Sequence, residues 1–289
     1  MKKQAEAEQA QAHPHSAHDF PKLWKVKGYT VSCVGDPDSV FQQDPVLALR
    51  AMHFVSCCDL SIEKRTAEAM ERAPLTKARR CRVRKEFVRV LMGKFAATAL
   101  AEHHRVIFQI IPEIEASVGF PQRNPAHIYD VWKHTAETMW EAPRDPVVRL
   151  ALLLHDVGKP FCFDEQDGVR HFTGHGRVSA RMAEAILARL GFDESTIHAV
   201  TQLVAYHDRL MIPSERTVYR MLGELGEEQF KRLLDVRYAD ISAQAHECFQ
   251  ARADTLGNLR CTASRLLGNV SHPTDKSGGF WPAGYNTVG

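Results

Sequence analysis

An all-α architecture is predicted by three features of the sequence. Apolar residues recur at helical spacing from Pro45 to about residue 255, glycines and prolines punctuate that run, and a single short stretch alternates like a strand. Residues 1–18 are mostly Ala, Gln, Glu and His with little to bury, which predicts a frayed or disordered tail; His13, His15 and His18 read as surface histidines. The strand candidate is Tyr29–Val34, followed by a turn at Gly35-Asp-Pro-Asp38. Asp44 as N-cap and Pro45 at the first helical position open the first long helix. Further helices are expected over 62–72 and 79–94, the latter with Val83, Phe87, Val90 and Leu91 on one face. Pro112, Pro121 and Pro125 mark a joint at 112–130. Beyond it, the pattern predicts helices at 128–141, 146–157, 176–190, 194–207, 215–224 and 227–250, with stops at Gly158-Lys-Pro160 and Gly191. The expected organisation is a tail (1–18), a short non-helical segment (19–44), a helical neck (45–120), a second helical bundle (121–255) and a turn-rich C-terminal extension (256–289).

Composition excludes several classes. A formal net charge of +2 argues against a wholesale polyanion binder, so nucleic-acid contact would need a local patch. The N-terminal lysines lack a following apolar run, and no stretch reaches the length of a membrane span. Seven cysteines without a C-x-x-C pair read as reduced thiols, so a cytoplasmic location is expected.

Three His-Asp dipeptides occur, at His18, His155 and His207, and context separates them. His155 ends an apolar helix and shares a face with Val148, Ala151 and Leu152, which places Asp156 beside a core. A carboxylate there needs a cationic partner, and a divalent metal accepts neutral imidazole and ionised carboxylate together. Four more candidates follow the same pattern. His134 shares a face with Val131 and His127; His175 precedes a helix with Val178, Met182, Ala185 and Ile186; His207 follows Leu203 and Val204; Asp240 follows Leu233 and Val236. Singly, each such residue is more often structural. Together they offer four imidazoles and two carboxylates from five helices, a mixed set suited to Mn, Fe, Co, Ni, Zn or Mg.

The order His134, His155-Asp156, His175, His207, Asp240 resembles the HD superfamily of metal-dependent phosphohydrolases. That resemblance implies His134, His155, Asp156 and Asp240 as primary ligands. It makes His175 and His207 a second metal's ligands or phosphate contacts, and Lys159 a contact to substrate phosphate. The wider chain, over about residues 30–250, resembles bacterial CCA-adding tRNA nucleotidyltransferases and their poly(A) polymerase relatives. Val34-Gly-Asp-Pro37, Phe41, Asp44, Leu49-Arg50-Ala51 and Phe54 look like that family's turn and first neck helix. His127-Ile-Tyr-Asp-Val-Trp-Lys-His134 and Gly174-His175 look like its appended HD domain. The family places a catalytic head, a Gly-Ser turn and two metal-binding aspartates, before this region; residues 19–44 then read as the end of that head. Its nucleotide-selecting Glu-Asp-x-x-Arg stands here as Gln43-Asp44-Pro45-Val46-Leu47. Nucleotidyl transfer by this chain alone is therefore not expected.

The expected chemistry is phosphoester hydrolysis with His155, Asp156 and Lys159 at its centre, aided by Arg209. The resemblance implies nucleotides, 2',3'-cyclic phosphates or RNA 3' ends as substrates. A second expectation concerns Lys77, Arg79, Arg80, Arg82, Arg84, Lys85, Arg89 and Lys94, eight cations against the single acid Glu86 over about 25 Å of helix. Such a stripe suits RNA phosphates, tRNA included, and equally suits a solvated helix face. The alternative to the hydrolase is thus a non-catalytic RNA-binding body that works with a separate nucleotidyltransferase head.

Overall fold

The computed structural model describes residues 23–268, so the tail expected at 1–18, the His18-Asp19 dipeptide and most of the C-terminal extension lie outside the described residues. The fold is all-α, with small β hairpins at its margins. A hairpin of β1 (Trp24–Lys27) and β2 (Thr30–Cys33) pairs Lys27 with Thr30 across Gly28, and β3 (Ser61–Ile62) joins β2 in parallel. Gly28 sits at φ 60°, the left-handed conformation that this tight connection requires. Where the sequence suggested a turn at Gly35–Asp38, Pro37 instead opens α1 (Pro37–Gln43). Asp36 caps it, its Oδ2 accepting from Ser39 N at 3.1 Å, and proline tolerates the first helical position because its missing N–H has no intrahelical acceptor there.

Asp44 Oδ1 accepts from Val46 N at 3.3 Å, so α2 (Val46–Cys58) begins one residue later than expected, with Pro45 at its cap. There follow α3 (Lys64–Glu71), α4 (Arg80–Leu91), α5 (Ala96–Glu102) and α6 (His104–Phe108). The face of α4 that buries is the expected one: Val83, Phe87, Val90 and Leu91. Its crossing with α2 depends on Gly93, where a Cβ would stand 2.3 Å from the Ser56 carbonyl oxygen.

A 3-10 turn (Pro112–Ser117) and an irregular stretch occupy the proline-marked joint and lead into α7 (Val131–Glu137) and α8 (Pro146–Leu154). Then come the unforeseen hairpin of β4 (Asp164–Gln166) and β5 (Val169–His171), α9 (His175–Leu190) and α10 (Glu194–Tyr206). Last are α11 (Glu215–Leu225), α12 (Glu227–Ser242) and α13 (Phe249–Leu266). The single helix expected over 227–250 is broken, and the last helix runs well past 255. The break has a tertiary cause: Ala245 N donates to Ala126 O at 2.9 Å, and the Ala243 carbonyl faces His134 Nδ1 at 3.3 Å. These bonds hold the chain out of helical register where the local pattern alone would have continued it.

Arg149 ties the two helical halves together. Its buried guanidinium donates to the carbonyls of Leu91, Gly93 and Ala142, and its Nε to Pro143 O. No helix among the described residues is long and apolar enough to cross a membrane.

Candidate metal centre

Five helices converge on one buried point. His134 projects from the last turn of α7; His155 is the C-cap of α8, with Asp156 immediately after it. His175 opens α9, His207 is the C-cap of α10, and Asp240 lies in the last turn of α12. The structure therefore brings together all six residues singled out in the sequence. One face assignment shifts: α9 buries His175, Ser179, Ala183, Ile186 and Leu190, while Ala185 is exposed. Val178 and Met182 are half-buried at the edge of this stripe, and Ile186 belongs to it as expected.

The imidazoles share a protonation pattern. His155 Nδ1 faces Leu152 O at 2.6 Å, His207 Nδ1 faces Val204 O at 2.7 Å, and His175 Nδ1 faces Phe172 O at 2.8 Å. His134 Nδ1 faces Ala243 O at 3.3 Å. A carbonyl oxygen only accepts, so each Nδ1 carries a hydrogen and each Nε2 turns inward, where it holds a proton or, without one, offers its lone pair to an ion. The inward nitrogens crowd: His155 Nε2 is 3.4 Å from His134 Nε2, and His175 Nε2 is 3.0 Å from His207 Nε2.

Asp156 stands between these pairs. Its Oδ2 lies 3.3 Å from His155 Nε2 and 3.7 Å from His134 Nε2; its Oδ1 lies 3.2 Å from His175 Nε2 and 3.6 Å from His207 Nε2. Asp240 Oδ1 completes the first set, 2.9 Å from His134 Nε2. Both Asp156 oxygens are buried without a well-formed hydrogen bond, although Lys159 Nζ approaches Oδ2 to 2.6 Å. Ligands about 2.0–2.2 Å from one ion stand about 3.0–3.5 Å apart, and most of these separations fit that range. His134, His155 and Asp240 form one set that could hold an ion, and His155, Asp156 and His207 form another. The donors are those a divalent cation accepts.

The electrostatics agree. Burial works against charge on His155, but Asp156 and Asp240 outweigh it and lift the imidazole to about 10. Burial likewise opposes ionisation of Asp156, yet His155 and Lys159 hold its carboxyl well below the ordinary range; His134 and His155 do the same for Asp240. The two carboxylates thus favour positive charge on the ring that faces them, supplied by a proton or by a cation.

The other chemistry-bearing residues are disposed less simply. Lys159 is buried, its ammonium shared between Asp156 and Gln122 Oε1 at 2.8 Å. Arg209 pairs with Glu224 at 3.0 Å and stacks 4.1 Å over the Tyr206 ring. Sequence reasoning passed over Gln122, Gln244 and Arg237, and read Gly158 only as part of a helix stop. Gln244 donates to Asp240 Oδ1 at 3.0 Å, and one helical turn separates Arg237 from Asp240, a spacing that could have flagged it. Gly158 packs on α9, donating its N–H to Ser179 Oγ at 2.9 Å; a Cβ there would stand 2.7 Å from Ser179 N.

Of the basic stripe, all but Arg84 are exposed. Arg82 pairs with Asp44 at 2.6 Å, Arg89 with Glu86 at 2.6 Å, and Arg84 lies over the Phe192 ring. Lys77, Arg79, Arg80, Lys85 and Lys94 make no ion pair among the described residues. Arg82, Arg84, Lys85 and Arg89 line a groove of about 730 Å³ between α4 and the start of α10.

Comparison with known proteins agrees with this geometry. Residues 126–244 match the family model of the HD domain. It is 34% identical over 195 residues to a CC-adding tRNA nucleotidyltransferase of Thermus thermophilus, covering 62% of this chain and 44% of that one. It is 31% identical over 216 residues to an A-adding tRNA nucleotidyltransferase of Deinococcus radiodurans, covering 69% and 49%. A bifunctional uridylyltransferase/uridylyl-removing enzyme of Streptomyces coelicolor is 26% identical over 258 residues, covering 82% and 30%. The chain spans about half, or less, of the length of these curated relatives.

Proposed function

We propose that this chain, an HD-domain protein related along its helical body to the tRNA nucleotidyltransferases, is a metal-dependent phosphohydrolase acting on nucleotides, 2',3'-cyclic phosphates or RNA 3' ends. One observation carries the reading. Four Nε2 atoms, the buried Asp156 carboxylate and the partly buried Asp240 carboxylate are fixed toward a common point, and both Asp156 oxygens there lack well-formed hydrogen bonds. His134, His155, Asp156 and Asp240 would hold a divalent ion, with His175 and His207 holding a second or meeting phosphate. The mixed nitrogen and oxygen set admits Mn, Fe, Co, Ni, Zn or Mg. When bound, such an ion polarises a phosphoryl oxygen and acidifies water.

The protein's own groups do the rest. The carbonyls of Leu152, Val204, Phe172 and Ala243 lock the imidazole tautomers and ring orientations. Lys159 keeps Asp156 ionised and in place. Protein loaded with metal should cleave 2',3'-cyclic AMP or a generic phosphodiester, and His155→Ala with Asp156→Ala should abolish both metal content and cleavage. Cleavage that survives the double substitution would sink the proposal.

A second reading is favoured by the exposed, unpaired cations around α4: an RNA-binding body that works beside a separate nucleotidyltransferase head. Lys77, Arg79, Arg80, Lys85 and Lys94 would meet phosphates without reading sequence. A tRNA gel shift whose affinity ignores salt would exclude it. The two readings are compatible, since these cations lie on and around α4, which contributes no residue to the metal centre.

A further inference from the structure

Beside the metal centre lies a cavity of about 420 Å³ whose wall includes His207 and Asp240, so it opens on the ligand cluster itself. Its volume suits a small molecule and is too tight for a duplex. Two guanidinium groups face it. Arg237 comes from α12, and Arg252 comes from α13, beyond the last residue matched by the HD family model.

Neither cation expected to meet phosphate is free to do so. Lys159 is held by Asp156 and Gln122, and Arg209 by Glu224 and Tyr206. Arg237 and Arg252, by contrast, make no ion pair among the described residues. Arg237 donates to the Arg209 carbonyl oxygen, and Arg252 to Gln244 Oε1, both neutral acceptors. Burial pushes the Arg237 guanidinium down; Asp240 and Asp208 pull the other way, and Arg252 stands near enough to repel it. Asp208 and Asp240 share the same lining, yet neither guanidinium pairs with a carboxylate, so both forks are left to an incoming anion, and a guanidinium fork matches the paired oxygens of a phosphoryl group. Gln244 joins this wall to the cluster, because it accepts from Arg252 and donates to Asp240. The lining also has apolar members: Leu210, Met211, Ile241 and Leu256 offer a surface for the organic part of a ligand.

We infer that Arg237 and Arg252 form the anion-recognition wall of this site and that its substrate is a small phosphomonoester seated with its phosphoryl group between them and the cluster. The inference rests on the hydrolase reading and deepens it. It makes α13 part of the site and the two arginines specificity-determining residues.

The test titrates inorganic phosphate into the purified full chain by calorimetry at constant ionic strength, with metal content measured on the same samples. Arg252 is exposed, so Arg252→Gln should fold normally; Arg237→Gln is the second variant. A charge-assisted hydrogen bond contributes about 1.5–3 kcal/mol, so each substitution should weaken phosphate binding by about 10- to 100-fold while metal content stays at the wild-type level. Turnover, where measured, should show a raised KM with kcat less affected for Arg252→Gln. Arms with AMP and with a 3'-phosphorylated oligoribonucleotide distinguish a free nucleotide from an RNA end, tighter arginine-dependent binding naming the source. Wild-type protein that ignores millimolar phosphate, or Arg252→Gln that binds it equally well, overturns the inference. Arginine-dependent phosphate binding in protein that takes up no metal would instead overturn the hydrolase reading, so the two failures are distinct.

Discussion

His175 Nε2 lies 3.0 Å from His207 Nε2, although each ring donates its Nδ1–H to a backbone carbonyl. Two lone pairs at that distance repel unless an electron acceptor stands beside them. Asp156 Oδ1, 3.2 Å from one and 3.6 Å from the other, adds negative charge to the same spot. The arrangement is stable only with a cation or a proton, and that dependence links the centre's occupancy to the stability of the fold.

Chelation should therefore destabilise the protein. An ion present at one hundred times its dissociation constant stabilises the folded state by about 2.7 kcal/mol. Calorimetric melting with and without chelator measures the difference, and His155→Ala should erase the chelator's effect. A melting temperature indifferent to chelator would count against any ion at this centre.

Gly158 supplies a second prediction. The loop that follows the His155-Asp156 pair docks on α9 through Gly158, and an added Cβ would meet the Ser179 backbone at 2.7 Å. Gly158→Ala should move that loop and with it Asp156 and Lys159. A supporting contact of this kind typically affects metal affinity by about 10- to 100-fold. Gly223→Ala, where a Cβ meets nothing within 4 Å, is the control and should leave metal affinity unchanged.

Arg149 gives a prediction about the joint between the helical halves. Arg149→Leu would orphan the buried carbonyls of Leu91, Gly93, Ala142 and Pro143 together. Hydrogen bonds to a charged group contribute about 1.5–3 kcal/mol each in net terms, so a decrease of at least about 3 kcal/mol is expected in urea denaturation. Arg149→Lys should recover little, because an ammonium cannot reach carbonyls on several sides at once. Full recovery by lysine would show that charge alone matters there.

The charge on α4 leads to a binding prediction. Arg82 and Arg89 are already partnered by Asp44 and Glu86, whereas Lys77, Arg79, Arg80 and Lys85 are not. Replacing those four by glutamine should weaken tRNA binding and flatten its salt dependence, by roughly 0.7–0.9 in the logarithmic slope for each phosphate left without its cation. Arg82→Gln should change it less. Equal slopes for wild type and the fourfold variant would leave α4 as a solvated face.

Much of this was legible in the sequence, and the rest was hidden for physical reasons. Helical periodicity carries His155, His207 and Asp240 inward because each continues an apolar stripe: Leu152, Leu203 with Val204, and Val236. Periodicity centres the stripe of α9 on Val178 and Met182, which are half-buried, because the inward positions beside them hold Ser179 and Ala183, which carry little apolar signal. The break at Ala243 is invisible locally because its cause, bonds to Ala126 and His134, lies more than a hundred residues away in sequence. Lys159 reads as a free cation until the fold brings Gln122 against it. Arg252 escapes notice because it follows the broken helix and belongs to no recognisable motif.

Acid sensitivity is the last expectation. Burial holds His53 and His103 below the ordinary histidine value and His127 down to about 3. His103 Nε2 has no hydrogen-bond partner, and the attraction of nearby Glu71 does not offset burial of the charged ring. The folded protein thus binds fewer protons than the unfolded chain once pH drops below about 6.5. Stability from these residues is complete above that value and is lost as pH falls toward their folded-state values. Asp156 and Asp240, whose carboxyls are also depressed, add their loss only below about pH 4, under the range in which His53 and His103 begin to lose theirs. Urea denaturation between about pH 5 and 6.5 should show stability falling with acid, and His103→Leu should reduce that slope by up to about 1.4 kcal/mol per pH unit, one proton's worth. A slope unchanged in His103→Leu would mean that the imidazole takes up its proton in the folded state as readily as in water.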